Sequence, residues 1–581
     1  MSRAIARQAT VRGKRRQAGP ILVGWLELMD RYLLAIDQGT TGSTALVMGM
    51  DGRTLGRESR ELPQHFPEPA WVEHDPKEIQ LSVIEAVAGA LRAAGVKGSD
   101  IAALGITNQR ETTLVWEKTS GRPIDRAIVW QDRRTTDECR RLRNAGHEAE
   151  VKERTGLVLD PYFSASKLSW LLDTHGARPR AERGELAFGT VDSFLVWWLA
   201  GGAAHMAPHV IEVTNASRTS LMNLASLSWD SRLCEMFRVP VQVLPRIIPS
   251  TGLVARTHGF EPLPDGVPIC GIAGDQQAAL FGQACLEPGD AKCTYGTGAF
   301  LVVNTGAQRI RSSHGLLATV AWQIGDQVAY ALEGSCFIAG AAVQWLRDGL
   351  GLIRSSAEVE ALARSVTSSD GVVFVPALSG LGAPHWDPDA RGLLCGLTRG
   401  SRAGHIARAT LEAVAFQVAD LVTAMREDLA ASDGISQTSA AREEAALEGA
   451  PQIRRIRVDG GAAQNNLLMQ FQSDVSDVWI ERPLDLESTA RGAALLAGVG
   501  AGSFRGVKEA ARLVEHPERF EPRMGESERS TRLRGWHTAL LRARSSIEIE
   551  AGAPGGTPAT TPESAPKRAS EEAGVGESHG H

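Results

Sequence analysis

The stretch Leu33–Met48 reads LLAIDQGTTGSTALVM, and it decides how the rest of the chain is interpreted. Two apolar runs flank the polar segment Asp37–Thr44, a pattern that favours a β-hairpin with a Gly-rich turn. Glycines let backbone N–H groups approach a ligand closely and threonine hydroxyls add donors, so this turn suits phosphates. Asp37, at the end of the first strand, could hold Mg²⁺ directly or through water. An ordinary tight turn with polar side chains is the commoner explanation of such a turn taken alone.

The composition describes a globular chain of 581 residues, which is too long for one core and predicts two large domains. The net charge of -6 argues against nucleic acid as a main partner, because phosphate binding needs a basic surface. The seven cysteines are scattered without metal-ligand spacing, which indicates reduced thiols in a cytosol. No apolar run approaches the roughly 20 residues that cross a bilayer. We therefore expect a cytoplasmic protein without a membrane span.

Both ends of the chain and one internal stretch fall outside the predicted fold. Residues 1–30 are Arg-rich and then briefly apolar. A transit or signal peptide is one interpretation, but a misassigned start or a floppy extension is favoured, because Met29 directly precedes the first strand. The end from about Ala551 is rich in Gly, Pro, Thr, Ser, Glu and Lys, which predicts a disordered tail. The Ala-, Ser- and Glu-rich stretch 432–451 is interpreted as a surface insertion.

Polar clusters follow two apolar, strand-like runs in the first half. Ile101–Ile106 leads into Thr107–Thr113, and Ala127–Trp130 leads into Gln131–Arg134. Strand ends are where α/β sheets expose ligand sites. A solvated surface loop is the better explanation of one such cluster taken alone, and it explains several clusters at successive strand ends less well.

Asp275 stands where the apolar run Val267–Gly274 meets a helix-like segment. A carboxylate there could accept a proton from a substrate hydroxyl. It could also cap the helix, which is the commoner role of Asp at a helix start.

Two more Gly-rich turns occur in the second half. Cys293–Val303 (CTYGTGAFLVV) repeats the strand–turn–strand pattern and suggests a duplicated domain, with the two turns facing each other across a cleft. Each domain would then have about 240 residues, a normal domain size. Ile453–Val458 leads into Asp459–Asn466 (DGGAAQNN), where a plain strand-to-helix connection and a nucleotide contact are equally good explanations.

Taken together, these motifs resemble those of the FGGY carbohydrate kinases, and within that family the glycerol kinases. The resemblance covers about Tyr32 to Pro522, and its motifs, in chain order, are AIDQGTTGSTALVM, WVEHDP, GITNQRETTLVW, IVWQDRRT, TGLVLDPYFSASKLSW, FGTVDSFLVW, TNASRTSL, GIAGDQQAALFGQ, YGTGAFL, LEGSCFIAGAAVQWLRD, GLGAPHWDPDARG and VDGGAAQNNLLMQFQSD. The resemblance implies an α/β fold of two actin-like (ribonuclease H-like) domains flanking a cleft for ATP and substrate. We accordingly expect an N-terminal domain at 31–281, a C-terminal domain at 282–525, and a terminal helix followed by the tail at 526–581.

The resemblance also implies roles for individual residues. Asp275 matches the general base that takes the proton from the attacking hydroxyl, and Asp37 matches the acid near Mg²⁺. The positions that match glycerol contacts, including two aromatic residues along the carbon chain, are Arg110, Glu111, Trp130, Tyr162, Asp275, Gln276 and Phe300. The positions that match phosphate and nucleotide contacts of ATP are Thr40, Thr41, Gly42, Thr297, Gly340, Gln344, Gly461 and Asn465.

Several positions depart from the family pattern. Members usually have Ser at the position of Gly42 and often Arg at that of Thr44, so the phosphate turn here has lost a hydroxyl and a cation. The segment Thr257–Val267 lacks the Gly-Lys-Gly-Gly loop of enterobacterial enzymes inhibited by fructose 1,6-bisphosphate, and His258 does not match the histidine of phosphorelay-activated members. Neither form of regulation is expected.

The resemblance implies transfer of the γ-phosphoryl of ATP to glycerol, in a homodimer or homotetramer. One alternative is an FGGY kinase for another polyol or a sugar. An alternative of a different class is an actin-like ATPase without kinase activity, which would share the phosphate and nucleotide turns but would not need the polyol cluster.

Overall fold

The computed structural model describes residues 31–432 and 452–545. The predictions for the N-terminal extension, for the tail after 545 and for nearly all of the 432–451 insertion lie outside these residues.

The first half is built on a six-stranded mixed sheet in the order β13-β14-β5-β1-β2-β3. Strands β1 and β2 form the predicted hairpin, with Asp37 paired to Thr44, so that prediction is confirmed. The strands of this half are β1 (Tyr32–Gln38), β2 (Gly42–Gly49), β3 (Thr54–Glu61), β4 (Glu73–His74), β5 (Ile101–Asn108), β6 (Leu114–Glu117), β7 (Ala127–Ile128), β8 (Leu186–Gly189), β9 (Val210–Glu212), β10 (Met222–Asn223), β11 (Ser228–Trp229), β12 (Arg246–Ile248), β13 (Thr251–Arg256) and β14 (Pro268–Gly274).

Helices cover both faces of this sheet. The first begins at Pro76, where the Asp75 carboxylate accepts a hydrogen bond from the Lys77 backbone N–H at 2.9 Å. The helices are α1 (Pro76–Ala94), α2 (Thr136–Asn144), α3 (Glu148–Thr155), α4 (Ser164–Thr174), α5 (Arg178–Glu182), α6 (Val191–Leu199), α7 (Val213–Ala216), α8 (Ser231–Met236) and α9 (Asp275–Gly282), with short 3-10 helices at Gly98–Asp100, Gly202–His205 and Val241–Val243.

The second half is built on a seven-stranded sheet in the order β17-β18-β16-β15-β21-β22-β23. Its strands are β15 (Ala291–Tyr295), β16 (Ala299–Gly306), β17 (Leu317–Ile324), β18 (Gln327–Cys336), β19 (Val373–Val375), β20 (Leu393–Cys395), β21 (Arg455–Asp459), β22 (Trp479–Arg482) and β23 (Glu518–Phe520). Its helices are α10 (Gly340–Asp348), α11 (Glu358–Arg364), α12 (Ala403–Ser432), α13 (Asn466–Ser476), α14 (Ser488–Gly500), α15 (Val507–Ala511) and α16 (Glu526–Ala543), with a 3-10 helix at Gly461–Gln464.

The two sheets share one plan. In the first, the β1–β2 hairpin extends through antiparallel β3 on one side and through parallel β5 and β14, then antiparallel β13, on the other. In the second, the β15–β16 hairpin extends through antiparallel β18 on one side and through parallel β21 and β22, then antiparallel β23, on the other. This correspondence is that of a duplicated domain, with β17 added at one edge.

One helix of the second half lies on the sheet of the first. Side chains alternate along β1, so Leu34 and Ile36 join a core with α1 and α6, while Leu33 and Ala35 join a core with α14. Glycines permit this close approach: a Cβ on Gly105 of β5 would lie 2.1 Å from the Ala493 carbonyl oxygen. The predicted boundary between residues 281 and 282 falls at the last residue of α9, and α14 of the second half contacts both α9 and the first sheet.

The last described helix, α16, is anchored to α12. The Trp536 side chain is fully buried, stacks on Phe416 and donates from Nε1 to Asp420 Oδ2 at 2.8 Å. His537 Nε2 lies 2.8 Å from the other oxygen of Asp420. The hydrogen bonds from Trp536 and histidines outweigh burial and lower the pKa of Asp420, and Asp420 in turn raises the pKa of His537.

The cysteines and helices also bear on the sequence predictions. All seven cysteines are free thiols, and all except the half-buried Cys395 are buried. Within residues 31–432 and 452–545, no helix combines the length and the apolar character that a bilayer crossing requires.

Candidate active site

Arg110 and Glu111 follow directly after β5, at the edge of the first sheet. Both side chains are buried, and Glu111 has a φ of 62°, in the left-handed region that non-glycine residues rarely adopt. Such backbone strain costs about 1–3 kcal/mol and persists where the surroundings hold the residue in place. Here the Ser164 hydroxyl donates to the Glu111 carbonyl at 3.0 Å. The strained turn directs two adjacent charged side chains into the same interior region.

A buried ion network joins these residues to the second half. Arg110 binds Glu333 of β18 through two hydrogen bonds, of 2.5 and 3.0 Å. Arg218 donates to Glu111 Oε1 at 2.7 Å and to Glu333 Oε1 at 2.9 Å. Arg218 and Glu333 were not among the predicted site residues, although the motifs that contain them belong to the resemblance. A charged residue within the mostly apolar strand QVAYALEGSC was the signal in the sequence for Glu333.

The network separates the pKa values of its two glutamates. Burial alone would raise the pKa of Glu333, but the guanidinium groups of Arg110 and Arg218 outweigh it and lower the pKa to about 2. Burial raises the pKa of Glu111 by more than the same two arginines lower it. Glu333 is therefore the carboxylate that bonds both arginines and stays ionised at neutral pH.

Asp275 lies at the first position of α9 and is not its N-cap, which is Gly274. Its Oδ1 is 3.1 Å from Arg110 Nε and accepts a hydrogen bond of 2.7 Å from the Gln276 backbone. The side chain is 30% exposed, whereas that of Arg110 is 2% exposed. The carboxylate is thus oriented by a buried cation and keeps an accessible side, so the helix-capping interpretation does not account for it.

Gln276 lies beside Asp275 and is held by a buried lysine. Its Nε2 donates to Asp275 Oδ2 at 3.2 Å, and its Oε1 accepts a hydrogen bond from Lys292 of β15. Lys292 also donates to Thr294 Oγ1 at 2.8 Å. Burial lowers the pKa of this lysine. Lys292, a residue that sequence reasoning missed, therefore orients Gln276 from across the boundary between the halves.

Three aromatic side chains form a wall beside this polar cluster. Trp130 meets Tyr162 and Phe300 edge-on, with ring centroids 5.5 and 6.2 Å apart. Arg110 Nη2 donates to the Tyr162 hydroxyl at 3.4 Å. Phe300 belongs to β16 of the second half, so the wall is completed across the two halves. All seven predicted polyol-site residues lie in this one constellation.

The phosphate turn of the first half adjoins this wall. Trp130 Nε1 donates to Thr40 Oγ1 at 2.8 Å, and Thr41 is exposed. A Cβ on Gly42 would lie 2.5 Å from the Arg60 carbonyl oxygen of β3. In this chain a side chain at position 42 would therefore require the backbones of β2 and β3 to move apart, which is consistent with glycine here in place of Ser.

Asp37 lies among other carboxylates at the base of this turn. Burial raises its pKa, as do the charges of Asp275 and Glu487, while Arg57 lowers it. Neighbouring carboxylates repel one another unless one of them is protonated or a cation binds between them. Mg²⁺ commonly takes one or two carboxylates together with water and phosphate oxygens, so the donor set at Asp37 fits this ion. Within the described residues no group of three or more His, Cys, Asp or Glu side chains forms a complete metal cage.

The predicted nucleotide residues of the second half lie on adjoining turns. The carbonyls of Gly296 and Thr297 accept hydrogen bonds of 2.8–3.1 Å from the start of α10, including Gly340. Gly460 approaches β15 so closely that a Cβ would lie 2.5 Å from the Tyr295 carbonyl oxygen. Thr297, Gln344 and Gly461 are exposed, while the Asn465 side chain caps α13, its Oδ1 accepting from the Leu468 backbone N–H at 2.9 Å.

Two open cavities lie outside this constellation. One of about 400 Å³ is lined by Gly98 and the loop at 259–265, and one of about 220 Å³ lies between α3 and the 309–312 segment. The polyol constellation, which we call the slot, is instead a cluster of polar groups that already bond one another. Its chemistry, rather than its volume, makes it the candidate site.

Family descriptions match both halves of the chain. "FGGY family of carbohydrate kinases, N-terminal domain" matches residues 32–282, and the corresponding C-terminal domain matches residues 291–501. A glycerol kinase of Myxococcus xanthus is 51% identical over 88% of this chain and 99% of its own length. A glycerol kinase of Aromatoleum aromaticum is 53% identical over 89% of this chain and 99% of its own length.

Solved structures agree with these matches. Plasmodium falciparum glycerol kinase with ADP superposes with a TM-score of 0.78 and 31% identity, over 88% of this chain and 98% of that one. A xylulose kinase of Lactobacillus acidophilus has a TM-score of 0.74 at 20% identity, covering 88% of this chain and 97% of that one, which supports the fold alone. With both halves matched and both sheets built on one plan, the chain belongs to the FGGY family of carbohydrate kinases and has its two actin-like domains.

Proposed function

We propose that this protein is an ATP-dependent kinase that phosphorylates glycerol to sn-glycerol 3-phosphate. The observation that carries the proposal is the Arg110–Asp275 pair, held 3.1 Å apart beside an aromatic wall at the boundary of the two halves. Relatives about half identical over nearly their whole length, named glycerol kinases, support the same acceptor.

The polar groups of the slot match a small triol. Arg110 and Tyr162 offer hydrogen-bond donors, Glu111 and Asp275 offer acceptors, and the Gln276 amide offers a donor. The faces of Trp130 and Phe300 would pack along the carbon chain. A hydroxyl-binding site of this kind rejects analogues that leave its buried polar groups unpaired.

Asp275 is the proposed general base. Arg110 Nε holds Oδ1 while the side chain stays 30% exposed, so a substrate hydroxyl can pass its proton to the carboxylate as its oxygen attacks the γ-phosphorus. The new O–P bond forms as the bond to the β–γ bridging oxygen breaks, and ADP leaves. Phosphoryl transfer depends mostly on positioning and charge stabilisation, which is what rigidly held side chains supply.

The turns around the slot are proposed to hold MgATP. Thr40, Thr41 and Gly42 would contact phosphates from the first half and Thr297 from the second, with Gly340, Gln344, Gly461 and Asn465 around the nucleoside. Bound at Asp37, Mg²⁺ would supply charge neutralisation for the phosphate oxygens. The network from Arg110 and Arg218 to Glu333 keeps the halves together around the acceptor, which helps exclude water, the competing acceptor.

A substrate panel with purified protein and MgATP tests the proposal. We expect ADP release and phosphorylated product with glycerol, and much lower turnover with xylulose or gluconate. No glycerol turnover would contradict the proposal. Preference for xylulose or gluconate would favour another FGGY kinase, and ATP hydrolysis without an acceptor product would favour an actin-like ATPase.

The location and assembly of the enzyme are also proposals. Seven free thiols and the family resemblance support a cytosolic enzyme, and the resemblance supports a homodimer or homotetramer. Light scattering of the purified protein would distinguish these assemblies from a monomer.

A further inference from the structure

The phosphate turn of this chain supplies no cation of its own. The residues Gly39–Thr44 are glycine, threonine and serine only. Two hydroxyls are already bonded, since Ser43 Oγ lies 2.8 Å from Ser82 Oγ and Thr44 Oγ1 lies 2.9 Å from Ser59 Oγ. A nucleotide phosphate chain carries several negative charges, so a cation is expected nearby on another element.

Arg57 of β3 lies on the sheet face that carries Asp37. The strand register aligns Asp37 with Thr44 and Thr44 with Ser59 across β1, β2 and β3. Arg57 is two residues from Ser59, and side chains two apart on a strand share a face. On this face Leu46, the cross-strand partner of Arg57, packs into the core formed with α14. Arg57 therefore faces the second half, where the nucleotide turns lie.

The contacts of Arg57 place its charge at the edge of the phosphate turn. Its Nη2 is 3.4 Å from Ser59 Oγ, whose partner is Thr44, and 2.7 Å from Glu487 Oε1 at the start of α14. The Arg57 side chain is 48% exposed. By contrast, Arg110 and Lys292 are buried and bonded within the polyol site. Arg57 is a cation beside Asp37 that a ligand in the cleft can reach.

We propose that Arg57 contacts the phosphate chain of the bound nucleotide and supplies the cation that the turn at Thr44 lacks. This inference rests on the proposed function, because MgATP is its ligand. The ion pair with Glu487 is partly exposed, and such pairs contribute little to stability. A guanidinium binds phosphate through charge-assisted hydrogen bonds in a bidentate fork, so exchange of Glu487 for a phosphate is favourable. In the absence of nucleotide, Glu487 holds the Arg57 guanidinium at the edge of the phosphate turn.

Calorimetric titration of the full-length protein with MgADP, without glycerol, measures this contact directly. We expect Arg57→Ala to raise the Kd for MgADP and the KM for MgATP by about tenfold or more, the loss of one charge-assisted bond. The KM for glycerol should be unchanged. The matched control is Arg60→Ala: Arg60 lies on the same strand, is comparably exposed and pairs with Glu58 and Glu85, away from the cleft.

Two further variants distinguish a phosphate contact made by Arg57 from a purely structural role of its ion pair with Glu487. In the Arg57→Ala background, Thr44→Arg should restore most of the affinity for MgADP. Glu487→Gln removes the same ion pair but leaves the cation, so its Kd should stay the same or fall. Equal weakening by Arg57→Ala and Glu487→Gln, or no effect of Arg57→Ala on the Kd, would overturn the proposal. A wild-type protein that binds MgADP but does not phosphorylate glycerol would refute the proposed function and leave this comparison intact.

Discussion

Replacing Asp275 by Asn keeps the shape of the side chain and an acceptor for the Gln276 N–H, but it removes the proposed base. General bases contribute about 10²- to 10⁴-fold to rate, so we expect kcat for glycerol phosphorylation to fall by that factor. Affinity for MgADP should be nearly unchanged, as calorimetry would show. Asp265→Asn, at an exposed carboxylate paired with His258, is the control and should keep full activity. Unchanged turnover in Asp275→Asn would remove this residue as the base.

Loss of the Glu333 carboxylate should strongly destabilise the fold. Replacing Glu333 by Gln removes the buried carboxylate that bonds both Arg110 and Arg218, and breaking a buried ion pair costs about 3–5 kcal/mol in comparable cases. We expect a matching loss in the free energy of unfolding by urea at pH 7. Exposed Glu235→Gln, where an ion pair of 3.7 Å lies at the surface, should change stability little.

The pH dependence of stability should change in the same variant. A glutamate with its folded pKa lowered to about 2 stabilises the native state above its unfolded pKa, and this contribution is lost as the pH falls. The wild type should therefore lose stability below about pH 4.5 more steeply than Glu333→Gln. Urea titrations at a series of pH values measure the two slopes, and identical slopes would contradict the assigned role of Glu333.

At the scale of single elements, α16 offers two adjacent substitutions of opposite sign. Trp536→Ala removes a fully buried ring and its bond to Asp420, and such truncations cost about 3–5 kcal/mol. Gly535→Ala lies on the exposed side of the same helix, where a Cβ would meet nothing within 4 Å. It should stabilise the protein by about 0.5–1 kcal/mol through helix propensity. Thermal melts of both variants test whether α16 is part of the cooperative fold.

The sequence predicts elements better than it predicts the contacts between them. The hairpin at Leu33–Met48 and the strand-end position of Arg110 follow from local patterns, and the structure agrees with both. Arg218 and Glu333 escaped assignment because their partner Arg110 lies far away in the chain, and no local pattern encodes a long-range ion pair. The role of Asp275 was ambiguous for the same reason: only the distance to Arg110 distinguishes an oriented carboxylate from a helix cap.

At the scale of the whole molecule, the halves are held together where α9 crosses α14. A Cβ on Gly492 of α14 would lie 1.9 Å from the Ala278 carbonyl oxygen of α9. Gly492→Ala should therefore separate the helices and destabilise the protein by about 1–3 kcal/mol. It should also lower kcat, because α9 begins with Asp275. Gly535→Ala is the control for adding a methyl group to a helix, and full activity in Gly492→Ala would show that the crossing tolerates a shift.

The position of Asp275 at this crossing has a mechanical consequence. When two rigid bodies rotate about a fulcrum, points near the axis travel least and distant points sweep the longest arcs. If the halves swing about the α9–α14 contact, the base stays almost stationary against the acceptor. Such a rotation would leave the alignment of the base with the acceptor nearly unchanged.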